Sequence, residues 1–61
     1  MTKEQTLKKI KMLIAKYQRV ISQTKNEHTD MILKDIEIDI ELYASRISMT
    51  VVSACIEADK I

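Results

Sequence analysis

Residues 35–42 read Asp35-Ile36-Glu37-Ile38-Asp39-Ile40-Glu41-Leu42. Strict alternation of this kind is the pattern of a half-buried strand. The same residues also divide between two helical stripes. One comprises Leu33, Ile36, Ile40, Tyr43, Ile47 and Ala54, with Val51 beside it; the other comprises Ile38, Leu42, Met49, Val52 and Ile56, with Ser45 in its gap. At about 100° per residue the two stripes face opposite ways, with acidic and small polar residues between them. A lone strand would find no second alternating run to pair with and no hairpin turn to return it. The stretch therefore predicts a helix over about 30–58 that is apolar on two opposite faces. Such a helix is sandwiched, with one face on its own chain and the other on a second chain.

The composition agrees with a few long helices. The 61 residues contain no Gly, Pro, Trp or Phe, so the usual punctuation of tight turns is missing. A single domain over 1–61 buries too little surface to be secure alone, at about 60% of what the unfolded chain exposes. Cys55 is the one cysteine and His28 the one histidine, which excludes an internal disulfide and an ordinary zinc site. Self-association is the remedy left. The charged opening (Met1 to Lys11) and the lack of a long apolar run predict neither a signal peptide nor a membrane span. The lone cysteine suits a reducing cytoplasm.

Charge is distributed unevenly along the chain. Residues 1–25 carry seven cations (Lys3, Lys8, Lys9, Lys11, Lys16, Arg19, Lys25) against Glu4, whereas residues 26–61 carry three cations and eight anions, for a net charge of +1. A basic half followed by an acidic half favours antiparallel pairing. The basic half reads as a helix over about 3–24. Thr2 and Gln5 have capping-box spacing, and Leu7, Ile10, Ile14, Tyr17 and Ile21 recur at intervals of three and four, widened by Leu13 and Val20. Residues 22–30 are polar and rich in cap formers. Asn26 suits a helix end, Thr29 or Asp30 suits the next start, and the bend is placed at about 25–29.

These elements predict an all-α fold: a two-helix antiparallel hairpin that dimerises into a four-helix bundle. Its dimer seam is Ile38, Leu42, Met49, Val52 and Ile56. The rival is a single long helix in a parallel coiled coil, because the stripe from Leu7 shares heptad register with the one from Ile38. Its intervening core positions would be Thr24, His28, Met31 and Asp35, three of them polar, and the second stripe would be left unexplained.

No enzyme is predicted, and no cofactor or metal. Asp35 with Asp39 and Glu37 with Glu41 fall on separate flanks without a histidine, so a di-metal constellation is not met. Cys55 has no basic neighbour placed to activate it. The feature that points outward is the basic face of the first helix: Lys8, Lys9, Lys16 and Arg19, with Met12 among them. An apolar side chain set in a ring of cations is a contact point for another macromolecule. The aromatics Tyr17 and Tyr43 both lie on core stripes, which disfavours base stacking. In its opening (Met1, Thr2, Lys3), its length and its layout, the chain resembles the small plasmid copy-number regulators, which pair as antiparallel four-helix bundles and bind RNA loops. The likeness is one of architecture, and no binding residue is carried over from it. The expected function is that of a small homodimeric, non-enzymatic interaction protein. It would act as a regulator or inhibitor of another protein, of the kind phages and mobile elements encode. An RNA- or DNA-binding bundle using the basic face is the alternative, and a structural or assembly subunit the third.

Overall fold

The computed structural model describes residues 1–23 and 26–61. Within them the protein is all-helical, with α1 at Lys3–Ile21, α2 at Glu27–Arg46 and α3 at Val51–Asp59, and no strand. The alternation at 35–42 is thus helical. The chain does not run as one long helix, because α1 and α2 pack on each other and α3 packs chiefly on α1. No helix among the described residues is long and apolar enough to cross a membrane.

The first helix begins as its sequence predicts. Gln5 N–H donates to Thr2 Oγ1 at 3.1 Å and Thr2 N–H donates to Gln5 Oε1 at 3.0 Å, so two free donors of the helix start are satisfied reciprocally. It ends at Ile21, where Ser22 N–H reaches Gln18 O. The predicted end at Thr24, and Lys25 at the start of the predicted bend, lie outside the described residues.

Two expectations about the second helix are corrected. It starts at Glu27, three residues before the predicted Asp30, because Asn26 is extended (φ −152°) and its side chain caps Thr29 N–H at 2.9 Å. His28 therefore sits in the first helical turn, exposed, and outside any bend. The second correction is larger. The helix expected to continue to about residue 58 stops at Arg46, and a separate helix follows. Ser48 enters the left-handed region (φ 55°), Ser48 N–H donates to Ser45 O at 3.0 Å, and Met49 N–H donates to Ala44 O at 2.9 Å. This pair of reversed bonds is the Schellman ending, usually built on glycine. With no glycine in the chain, a serine takes the position. Thr50 then caps α3 by accepting Ser53 N–H at 3.1 Å.

The core lies where the three helices meet. Leu7 and Ile10 come from α1, Ile36, Ile40 and Ala44 from α2, and Ala54 and Ala58 from α3. Ile10 is the largest fully buried side chain. Leu13, Ile14, Tyr17, Val20, Ile32, Tyr43, Ile47, Met49 and Cys55 pack around this set half-buried. Thr6 is buried too, its hydroxyl donating to Thr2 O at 3.0 Å. Among the described residues no buried side-chain polar atom lacks a partner. The α3 contribution is methyl groups alone, which allows close backbone approach but removes little apolar surface from water.

Candidate interaction surfaces

The predicted seam residues remain largely uncovered. On α2 the buried residues Ile36, Ile40 and Ala44 recur every four positions. Ile38 and Leu42 lie two residues from Ile40, a rotation of about 200°, and so point away from the core. Ile38 is 49% and Leu42 57% exposed, with Val52 at 70% and Ile56 at 54%. Met49 behaves differently, being half-buried in the α2–α3 connection. The stripe is also not carried on one helix, since the ending at Ser48 divides Ile38 and Leu42 from Val52 and Ile56. Met31, expected to close the end of the hairpin, is exposed on the same outer side of α2, seven residues before Ile38.

Charges flank the α2 stripe on both sides. Lys34 and Glu41 lie seven residues apart on one flank, and Asp39 and Arg46 seven apart on the other. The cation–anion order is reversed between these two pairs, and each flank carries a further anion, Glu37 on the side of Lys34 and Glu41 and Asp35 on the side of Asp39 and Arg46. Glu37, of the acidic run, sits on the Lys34–Glu41 side and accepts the Tyr17 hydroxyl across the α1–α2 contact at 3.0 Å. That bond, with the carboxylate's charge, raises the Tyr17 phenol above its ordinary pKa.

The basic residues of α1 meet α2 along a second surface. Lys9, Met12, Leu13, Lys16 and Arg19 line an open groove of about 350 Å³ whose far wall is Asp39 and Tyr43. Met12 is 66% exposed. Lys8 stands to one side with Met12 and Lys9, paired loosely with Glu4 at 4.0 Å, an exposed contact worth little. Among the described residues Lys9, Lys16 and Arg19 form no ion pair. The Arg46 guanidinium sits 5.6 Å from the Tyr43 ring centre, a cation held beside the groove wall without lining the groove.

The structure thus gathers Lys9, Met12, Lys16 and Arg19 around one depression, leaves Lys8 beside it, and brings Leu13, Asp39 and Tyr43 to the same place, which the spacing along α1 alone does not predict. Asp39 and Tyr43 are four apart on the α2 flank turned toward α1, and that spacing was the available signal. Among the described residues no three His, Cys, Asp or Glu side chains gather as a metal would need. Cys55 lies half-buried beside Ile14, Tyr17, Glu37 and Ile40. No protein-family model, curated protein or solved structure matches this chain.

Proposed function

We propose that the protein is a small homodimeric interaction module without enzymatic activity, acting as a regulator or inhibitor of another protein. The observation that carries the reading is the uncovered apolar stripe of Ile38 and Leu42 on α2, with Met31 before it. The three-helix core is small, and large aliphatic side chains left in water on its central helix are a reason to pair.

A second copy is the occupant that the charges favour. In a two-fold antiparallel pair the same flank of each α2 meets its counterpart in reverse order. A register centred between residues 37 and 38 brings Lys34 to Glu41 of the second copy, whereas Asp39 meets Arg46 of the second copy only in a register centred between 42 and 43, so one flank is matched at a time. A parallel pair, in which opposite flanks meet about five residues out of step, sets Lys34 by Asp39 and Glu41 by Arg46, so the charges fit a second copy in either direction. In this reading α1 and α2 form an antiparallel hairpin. Each α2 lies between its own α1 and the α2 of the second copy, giving a bundle of four long helices, with Val52 and Ile56 of α3 extending the contact. The basic groove adjoins this seam, with Asp39 as a shared wall, and its α1 side is left for another molecule. The nucleic-acid reading retains one support, the three unpaired cations of the groove.

Sedimentation equilibrium, with circular dichroism on the same samples, tests the pairing. A dimer that loses helix as it dissociates supports it. Leu42→Asp and Val52→Asp should each shift the equilibrium to monomer. A well-folded monomer at every concentration, or two variants that remain dimeric, overturns the seam.

A further inference from the structure

We infer that the α1–α2 groove binds an acidic helical segment of a partner protein, one that places an apolar side chain between two carboxylates. The inference rests on the reading of the protein as an interaction module and names the chemistry of its partner.

The groove presents its groups at helical spacing. Lys9, Met12 and Lys16 stand at i, i+3 and i+7 on α1, so the two ammonium groups bracket Met12 over about 10.5 Å of helix. The complement is a second helix lying alongside, with carboxylates seven residues apart and an apolar residue between them. Arg19 extends the cationic edge by one further turn. Below Met12 the floor is Leu13, half-buried, so an inserted side chain meets apolar surface on two sides. A volume of about 350 Å³, open to solvent, has room for a side chain rather than for an enclosed cofactor. Met12 is unbranched and polarizable, which suits it to receive such a side chain.

The same groove is poorly made for nucleic acid. Recognition of single strands relies on aromatic faces on which bases stack. The Tyr43 ring is already covered by Arg46, and Tyr17 is half-buried with its hydroxyl committed to Glu37. Asp39 in the wall repels anions of either kind, so negative charge is accommodated only where it stays beside the cations of α1, which two discrete carboxylates can do and a continuous run of phosphates does less well. The cations therefore select negative charge, and Met12 selects an apolar group beside it.

Fluorescence anisotropy of the full chain tests this with two labelled probes. One is a synthetic helical peptide of about 20 residues, with Glu at i and i+7 and Leu between. The other is a single-stranded oligonucleotide. The peptide should bind, and its affinity should fall at least about tenfold with Lys16→Glu, with Met12→Gln and with the peptide Leu replaced by Gln. Both substituted positions are exposed, so circular dichroism should show unchanged helix. An oligonucleotide that binds more tightly than the peptide, with Met12→Gln silent, overturns the proposal in favour of nucleic acid. A dimer that binds neither probe overturns the partner chemistry and leaves the pairing standing. A monomer that binds the peptide supports the groove and removes the pairing instead.

Discussion

The hydroxyl of Tyr17 on α1 donates to Glu37 Oε1 on α2 at 3.0 Å, and this bond ties the two long helices together outside their apolar contact. Because the carboxylate accepts from the neutral phenol, the Tyr17 pKa is raised in the folded state. A folded pKa above the unfolded value of about 10 gives stability that is complete below that value and lost as the pH climbs through the folded one. Thermal unfolding followed from neutral to strongly alkaline pH should therefore show a decline that Tyr17→Phe reduces. Ultraviolet titration should find Tyr17 ionising at a higher pH in the native chain than in the unfolded chain. Ionisation at the same pH in both states would show that the bond is not held in solution.

Ser48 holds a left-handed conformation that costs a non-glycine residue about 1–2 kcal/mol. Ser48→Gly relieves that cost, partly offset by the added freedom of the unfolded chain, and should stabilise the protein by about 1 kcal/mol. Ser48→Val, β-branched, should destabilise it. Urea midpoints at matched protein concentration read both effects, and a glycine variant without gain would place the turn in another conformation.

Among the described residues Ile10 is the one large side chain with no exposed surface. Ile10→Ala should cost about 2–5 kcal/mol, a large share of the stability of a domain this small. Lys8→Ala, two residues away on the exposed face, should change it by no more than about 0.5 kcal/mol. Similar losses from the two would mean that α1 does not bury the face described.

Ala54 and Ala58 let α3 approach its neighbours closely. Ala54→Leu overfills that contact and should cost about 1–3 kcal/mol. Hydrogen exchange should then speed up in α3 before it does in α1 and α2. Uniform acceleration would show that the three helices open as one unit.

Much of this architecture is legible in the residues, and the failures have physical causes. The start of α1 follows from Thr2 and Gln5, and its buried face from Leu7, Ile10, Ile14 and Tyr17. The helical reading of 35–42 follows from the absence of any partner strand. The break after Arg46 was hidden for two reasons. Ser48 stands where glycine would have announced a helix end, and Ile47 and Ala54 lie seven apart, so the heptad pattern runs through the turn undisturbed. The groove was half visible. Its cations are conspicuous on α1, but its wall depends on which side of Asp39 and Tyr43 faces the neighbouring helix, and that follows from packing rather than from spacing along one segment.

The preference of α3 for α1 over its sequence neighbour α2 has a consequence for synthesis. The apolar face of α1 precedes α2 in the sequence, yet the alanines that close over it, and the Ile61 carbonyl that takes the Lys11 ammonium, come after α2. On the ribosome the α1 face must therefore wait half-clothed, with α2 as its only cover. Closing that face depends on contacts distant in sequence, which form more slowly than local ones.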